Sequence, residues 1–431
     1  LIYLDEYWCI WSLVLAEIRV SKNNPYFKSY DGKFILKKSS NESKNYDVLL
    51  FCVKTIENVK IPSFIKHIGP YAFESCIMLQ TVEIPKDSEL QTIGEYAFSN
   101  SAIENISIPP SLTKISEYTF MGCTNLRNLN IPMNSKLQII GKYAFDNASI
   151  ECIVLPSNLI KICEGTFSGC RNLRKVEIPK NSKLQTIEQN AFRETLISQI
   201  SITSNLIELE DGWCIYANKV ESISVDQKNP RYRCIDDKII IGKSIISTSK
   251  YDILVFGVKN IEKVKIPSSI KHIAPYAFDS CSMLKTVEIP IDSELQTIGE
   301  YAFSGTAIEC ISMPSRLKNI HISAFDDCDQ LKKVIIQNNT EFQTNDEYAV
   351  FDSSTITNSN FFSHIINIKT NLFQNCPNLE EIDILSQSNH QIIEKLEIND
   401  SMIDTISIPS KLIKLHDEIY YRSKSIIYIN V

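Results

Sequence analysis

A seven-residue phrase recurs along this chain at two alternating intervals and constrains the fold more than any other feature. The phrase is an aliphatic residue, two others, an aliphatic, one more and then an aliphatic residue followed by proline, as in Leu79–Pro85. Its last aliphatic residue falls at positions 61, 84, 108, 131, 155, 178 and 202, so the interval alternates between two nearly equal values. A fixed period of this size predicts a solenoid, in which each repeat is one coil stacked on its neighbours.

One repeat, residues 85–108, shows what each part of the coil is expected to do. Ile106 and Ile108 are two residues apart, so both side chains point to the inner face of a short strand. Pro109 ends that strand because it has no N–H to donate to the ladder. The stretch Ile93–Phe98 is too short for a long helix and predicts a single helical or 3₁₀ turn.

Every second coil carries a phenylalanine, a cysteine and a leucine at three-residue spacing. Cysteines two coils apart are separated by about 10 Å, at about 4.8 Å per coil, which is too far for a disulfide. We therefore expect buried thiols that pack as small apolar side chains. The cysteines of this series are Cys76, Cys123, Cys170, Cys281, Cys328 and Cys376.

A second symmetry relates the two halves of the chain at one constant offset, which joins Trp8 to Trp213 and Asn24 to Asn229. We therefore predict one continuous solenoid made of two blocks, residues 1–208 and 209–431. Each block opens with a strand and is interrupted by a longer gap that holds a turn pair between apolar runs, the pattern of a β-hairpin insertion.

The predicted hairpin insertions span about residues 21–56 and 226–261, and the repeats span 57–208 and 262–431, degenerate over 337–407. The sequence begins at Leu1 without a methionine and stops at Val431 on a strand pattern. It is therefore expected to be a fragment truncated at both ends.

Composition and motifs argue against several classes of function. The net charge of −7 and the pI of about 5.6, without charge blocks, argue against nucleic-acid partners. No apolar run approaches the roughly 18 residues of a membrane-spanning helix, so no membrane insertion by this segment is expected. A glycine-rich phosphate loop, a paired Cys-x-x-Cys and a His-Glu-x-x-His motif are missing, so we predict no enzyme, catalytic residue, cofactor or metal site.

Two pairs of residues carry reactive groups outside those motifs. His67 and His272 are copies of each other, expected as solvated loop histidines, with a pH-sensitive or metal-assisted contact as the alternative. Cys152 and Cys310 lie just before a strand isoleucine in an exposed position. We expect incidental thiols there, because no histidine is tied to either to make it a nucleophile.

The remaining candidate for function is the outer face of the strands, where small polar and acidic residues alternate with the buried aliphatic residues. Such a polar ladder is how solenoids bind partners, and a merely soluble face is the alternative. The candidate protein-binding residues are Thr81, Glu83, Asn105, Ser107, Asn128, Asn130, Lys175, Glu177, Gln199, Ser201, Thr286, Glu288 and Ser312.

The complete repeat, from Ile-Pro-Ser through Tyr-Ala-Phe and Cys to Val-x-Ile-Pro, resembles the BspA-like, treponemal-type leucine-rich repeats (LRR). Residues 56–84 and 261–289 carry it almost whole, and the Asn24-Pro25 and Asp31-Gly32 pairs resemble that family's β insertion. The resemblance implies an α/β repeat fold: an LRR solenoid with a parallel β-sheet on one face, short helical or 3₁₀ turns on the other, and two small β-hairpin insertions.

Members of that family are non-enzymatic surface antigens and adhesins that bind host or matrix proteins. The resemblance therefore implies a protein ligand and a cell-surface location, with no binding residue common to the family to carry over. An intracellular LRR scaffold for protein–protein interaction, with a cytoplasmic location, is the alternative.

Overall fold

A computed structural model describes residues 15–40 and 45–336, residue 4, and the backbone of short strands beyond 336. The chain forms two compact units, unit 1 (residues 1–219 and 225–229) and unit 2 (residues 220–224 and 230–431). In each unit the coils stack through two sheets. We call them the face sheet, which carries the predicted binding residues, and the turn sheet, which lies where helical turns were expected.

The face sheet of unit 1 has six strands, and every neighbouring pair is parallel. Each strand is three residues long, with a central aliphatic side chain turned toward the core. The strands are β4 (Asn58–Lys60), β6 (Thr81–Glu83), β8 (Asn105–Ser107), β10 (Asn128–Asn130), β12 (Cys152–Val154) and β14 (Lys175–Glu177). A further strand, β16 (Gln199–Ile202), follows in the chain.

The turn sheet of unit 1 has ten strands. Three belong to the insertion: β1 (Phe27–Tyr30), β2 (Phe34–Lys37) and β3 (Val48–Cys52). The others are two residues long: β5 (His67–Ile68), β7 (Thr92–Ile93), β9 (Lys114–Ile115), β11 (Ile139–Ile140), β13 (Lys161–Ile162), β15 (Thr186–Ile187) and β17 (Glu208–Leu209).

Unit 2 repeats this plan with an eight-stranded face sheet. Its face strands are β22 (Lys263–Lys265), β24 (Thr286–Glu288), β26 (Cys310–Met313), β28 (Lys333–Ile336), β30 (Asn358–Ser359), β32 (Glu381–Asp383), β35 (Thr405–Ser407) and β38 (Tyr428–Asn430).

The turn sheet of unit 2 contains β19 (Tyr232–Ile235), β20 (Ile239–Gly242), β21 (Ile253–Gly257), β23 (His272–Ile273), β25 (Thr297–Ile298), β27 (Asn319–Ile320), β29 (Phe342–Gln343), β31 (Ile365–Ile368), β33 (Ile392–Ile393) and β36 (Lys414–Leu415). The remaining strands are β18 (Ser222–Val225), β34 (Ile398–Asn399) and β37 (Tyr421–Arg422). The side chains of the degenerate region, 337–407, lie outside the described residues.

The solenoid prediction is confirmed, but its helical or 3₁₀ turns are wrong. Across residues 15–40 and 45–336 the chain forms strands and turns and no helix. A helix satisfies its N–H groups within its own turn, whereas here the Phe98 N–H donates to Thr119 O at 2.8 Å, in the next coil. Tyr96, with φ of 52°, and Asn100, with φ of 54°, also lie in the left-handed region, which no right-handed helix contains.

A column of phenylalanine rings forms the core beneath these turns. Phe98, Phe120 and Phe145 are fully buried, and successive ring centroids lie 5.2 Å apart with nearly parallel planes. Beside it, tyrosine rings stack up to Tyr143, and the next coil has Gly165 in the tyrosine position. A Cβ on Gly165 would lie 2.2 Å from the Tyr143 ring, so a side chain there would require that ring to move.

The cysteine series is buried as predicted. The Cys123 thiol donates to Phe98 O at 3.0 Å, and Cys170 makes the same contact with Phe145 O. Burial raises the pKa of Cys123 to about 12, even with the opposing contact from Ser101. These thiols therefore serve as packing groups whose hydrogen bonds are weak, and Cys376 lies outside the described residues.

Both predicted hairpin insertions are confirmed, and each contributes a third strand. In unit 1, β1 and β2 pair antiparallel, β2 and β3 pair antiparallel, and β3 then pairs parallel with β5 of the first coil. Unit 2 repeats this order with β19, β20, β21 and β23. The insertion is therefore the first part of the turn sheet, and not an addition to its surface.

Candidate functional site

The structure places the predicted binding residues of unit 1 on the outer side of its coils. The first and third residues of each face strand are exposed while the second points inward, which follows from the period of two. In β16, Gln199 is exposed and Ser201 is half-buried. The predicted residues that lie exposed on the face sheet of unit 1 are Thr81, Glu83, Asn105, Ser107, Asn128, Asn130, Lys175 and Glu177.

The parallel register aligns the first residues of these strands into one continuous column. Each is the direct partner of the next across the sheet, so identical positions repeat at about 4.8 Å. In strand order the column is Asn58, Thr81, Asn105, Asn128, Cys152 and Lys175.

Hydrogen bonds along the column fix its amide groups. The Asn128 Nδ2 donates to Asn105 Oδ1 at 2.6 Å, and the Thr81 hydroxyl donates to Asn58 Oδ1. Each amide thereby uses part of its hydrogen-bonding capacity within the ladder and directs the rest outward. A cleft of about 420 Å³ opens beside it, lined by Glu104, Asn105, Asn125, Arg127 and Asn128.

Charged residues on the face sheet are held in ion pairs on either side of a neutral centre. Lys60 lies 2.7 Å from Glu83 across neighbouring strands, and Lys175 pairs with Glu177 within one strand. The centre, β8 and β10, carries only asparagine and serine on its outer side. Such a surface can recognise hydrogen-bonding groups on a partner, and exposed pairs of this kind add little to stability.

Unit 2 presents a shorter described version of the same surface. Thr286 and Glu288 are exposed, whereas Ser312 is half-buried. Lys263 lies 2.5 Å from Glu288, and its hydrogen bond lowers the pKa of that carboxyl group. The first two strands of both face sheets therefore carry a lysine–glutamate pair, Lys263 with Glu288 in unit 2 and Lys60 with Glu83 in unit 1.

Sequence reasoning omitted several residues that share this outer surface. Val154 is 39% exposed beside Cys152, and both occupy the same strand positions as the predicted polar residues. Cys310 is exposed as predicted for it and continues the column in unit 2. Their place as the first or third residue of a strand could have identified them, because strand position and not polarity decides which side chains point outward.

The two histidines are not the solvated loop residues that the sequence suggested. His67 lies half-buried on β5, with Nδ1 2.8 Å from Thr92 Oγ1, and His272 repeats this contact with Thr297 at 2.9 Å. Burial lowers the pKa of both imidazoles, against the opposing charge of Asp47 or Asp252. The prediction of solvated loop histidines is therefore wrong, because this segment of each coil forms a strand of the turn sheet.

Two further features were sought in the part of the chain that the structure describes. No group of three or more histidine, cysteine or acidic side chains there is arranged to hold a metal ion. Within the same residues, no helix has the length and apolarity to cross a membrane.

A family model for the BspA type leucine rich repeat region matches the chain over residues 49–153, 138–248, 252–380 and 297–427. No curated protein sequence matches it. Among solved structures, the pneumococcal vaccine antigen PcpA is similar over 92% of this chain and 98% of its own, with 19% identity and a TM-score of 0.61.

A leucine rich cell surface protein from Faecalibacterium prausnitzii is similar over 91% of both chains, with 18% identity and a TM-score of 0.52. At such identities these structures show a shared fold. The repeats of this fold form a scaffold that is typically non-enzymatic and used for protein interaction. The family model covers most of the sequence, so the chain belongs to the BspA-type leucine-rich repeat family.

Proposed function

We propose that this chain is a non-enzymatic cell-surface protein that binds a host or matrix protein through its face sheet. The observation that carries the proposal is the unbroken column of outward side chains on six parallel strands. A parallel sheet fixes the spacing of these groups before any partner arrives, which reduces the entropy lost on binding.

The side chains of the face sheet are better suited to binding a protein than to catalysing a reaction. Its neutral centre offers amide and hydroxyl groups, which donate and accept hydrogen bonds with backbone and side chains alike. The similarity to a vaccine antigen and to a cell surface protein supports the surface location.

Binding by the face sheet is tested with immobilised extracellular-matrix proteins and surface plasmon resonance. The double variant Asn105→Arg with Asn128→Arg places two large cations on the face. Its matched control, Gln91→Arg with Gln138→Arg, adds the same two cations at exposed positions beside the turn sheet. We expect the first to weaken binding at least about tenfold, a loss of about 1.4 kcal/mol, and the control to leave it unchanged. Equal binding by both variants would refute the face as the binding surface.

Surface location has a separate test. Protease treatment of intact cells should cleave the chain if it is displayed. Protection in intact cells together with cleavage after lysis would overturn this part of the proposal. It would favour the intracellular scaffold, which the unpaired, exposed thiols of Cys152 and Cys310 suit, since reducing compartments keep thiols free.

A further inference from the structure

The insertion of unit 1 leaves the first strand of the face sheet with an open edge. In the following coils, each face strand begins one repeat after the previous strand and pairs with it. Before β4 the insertion intervenes, and residue Ile18 of the preceding segment hydrogen-bonds the hairpin turn instead, N–H to Gly32 O at 2.9 Å. Within the described residues β4 is therefore paired on one side only, with β6.

The alternation of backbone groups shows which of them face the open edge. In a parallel pair, one residue uses both its N–H and its C=O on the same neighbouring strand, and the next residue faces the other way. Glu57 O accepts from Gln80 N–H at 2.8 Å, and Ile61 N–H donates to Glu83 O at 2.9 Å, so the odd-numbered residues face β6. The N–H and C=O groups of Asn58 and Lys60 consequently point away from the sheet.

A groove of about 650 Å³ lies along this edge. One wall is β4, and the other is the hairpin turn of the insertion, with Tyr30, Asp31 and Lys33. Tyr30 is 38% exposed, and its ring packs edge-on against Phe64 at 5.9 Å, which holds an aromatic surface over the groove.

The groove combines backbone donors and acceptors with the aromatic ring of Tyr30 and a balanced set of charges. Its lining contains two carboxylates, Asp31 and Asp87, and two amines, Lys33 and Lys60, of which Lys60 is already paired with Glu83. A strongly charged ligand gains little from such a lining. Outward-facing backbone groups in line are matched by another extended backbone, which is how sheets bind peptides by strand addition.

We infer that the open edge of β4 binds an extended, uncharged peptide segment of a partner protein, which adds as a further strand to the face sheet. Its backbone pairs with Asn58 and Lys60, and an aromatic or aliphatic side chain packs against Tyr30. The inference deepens the proposed function, because it assumes a protein partner and names how one segment of it is held.

Unit 2 offers a built-in comparison. Its first face strand, β22, has the same backbone phase, since Glu262 O accepts from Lys285 N–H and Ile266 N–H donates to Glu288 O, both at 2.9 Å. The position equivalent to Tyr30 is Ile235, and the position equivalent to Phe64 is Ser269. The aromatic wall is therefore specific to unit 1, where we place the binding segment.

Proline substitution separates a backbone contact from a side-chain contact. Lys60→Pro removes an N–H that faces the groove and is not used by the β4–β6 ladder, so proline is tolerated there. Lys60→Ala keeps the N–H and removes the side chain. Lys265→Pro makes the same change in unit 2, as a control for the effect of proline on folding.

The probes are capped nine-residue peptides of alternating valine and threonine with one central phenylalanine, measured by fluorescence anisotropy with the full chain. Two further peptides carry N-methyl groups on every second residue, one on the odd-numbered residues and the other on the even-numbered residues. Each therefore blocks the N–H groups along one edge of the extended peptide. We expect binding that Lys60→Pro and one of the N-methyl peptides weaken at least about tenfold, while Lys60→Ala and Lys265→Pro change it less than about twofold.

Three results would overturn the inference: no binding at about 1 mM peptide, equal loss with Lys60→Ala and Lys60→Pro, or equal binding of both N-methyl peptides. Thermal unfolding of Lys60→Pro should match that of Lys265→Pro, which shows that any loss is not unfolding. If matrix proteins still bind the chain and respond to the Asn105 and Asn128 variants, only the edge site fails. If they do not bind at all, the proposed function fails first.

Discussion

The insertions of the two units follow one plan but differ at their turns and walls. Both close on two successive residues in the left-handed region, Asp31 and Gly32 in unit 1 and Asp236 and Asp237 in unit 2. In both insertions a serine backbone N–H donates to an aspartate carboxylate: Ser39 to Asp47 at 2.8 Å in unit 1, and Ser244 to Asp252 in unit 2. The serine–aspartate contacts are kept while the exposed turn and the aromatic wall change.

This difference teaches that the insertion is held by its attachment to the first coil and not by its tip. In each unit a buried lysine, Lys54 or Lys259, donates to the backbone carbonyl of Glu74 or Asp279 in the adjoining coil. A buried ammonium group must keep such a partner, whereas exposed side chains are free to diverge. Variants made in pairs, one in each unit, test this view.

The largest effect is expected in the phenylalanine column, where the two units should behave alike. Phe120→Ala and Phe303→Ala each remove a fully buried ring between two stacked neighbours, and each should cost about 3–5 kcal/mol of unfolding free energy. Urea unfolding followed by circular dichroism measures both. A loss below about 1 kcal/mol for either would show that its coil does not share the common core.

A smaller effect of opposite sign in the two units is expected at the hairpin turns. Asp237→Gly should stabilise unit 2 by about 0.5–1 kcal/mol, because glycine adopts a φ of 53° without the steric cost of a Cβ. Gly32→Asp should destabilise unit 1 by a similar amount. Thermal unfolding of both variants checks the pair, and shifts of the same sign would mean that contacts of the tip outweigh its backbone.

The exposed amide ladder of the face sheet should matter least among the substitutions. Asn128→Ala removes the hydrogen bond to Asn105 and should cost about 0.2–1 kcal/mol, as for other cross-strand pairs. Unit 2 has cysteine and lysine at the corresponding positions, Cys310 and Lys333, so Lys333→Ala is the matched variant. A cost above about 2 kcal/mol for Asn128→Ala would show that the ladder supports the fold and is not reserved for binding.

Acid should weaken both units through the same pair of histidines, in a gradual and small step. Burial lowers the folded-state pKa of His67 and His272 from 6.5, so the folded chain takes up fewer protons than the unfolded chain. Stability is therefore full above about pH 6.5 and falls as the pH drops through the folded pKa. Urea midpoints measured from pH 7.5 to 5 should show this slope, and the double variant His67→Gln with His272→Gln should flatten it.

A second acid step should follow at lower pH. Burial alone would raise the pKa of Asp47 and Asp252, but the hydrogen bonds from Ser39 and Ser244 outweigh it and lower both below 3.8. The stability they contribute is present above about pH 3.8 and is lost as the pH falls through the folded pKa. If Ser39→Ala leaves the acid midpoint unchanged, this contact does not set the lower limit.

Much of the fold and of the candidate surface could be predicted from the sequence, because both depend on periodicity. The repeat of aliphatic residues determined which side chains of each coil point inward, such as Ile106, and therefore which point outward, such as Asn105 and Ser107. A repeat this short also required stacking, since one coil cannot bury its own apolar side chains. The binding role of those outward residues, and the two-block domain plan, stay predictions.

The tertiary structure alone decided where the backbone hydrogen bonds go. Local sequence could not show that Phe98 donates to the next coil and not within its own turn, because its acceptor, Thr119 O, belongs to the following repeat. For the same reason the sequence did not show that β4, within the described residues, pairs on one side only, because an edge depends on which strands lie beside it in space. Periodicity determines the direction of side chains, and only the packing of coils determines the partners of the backbone.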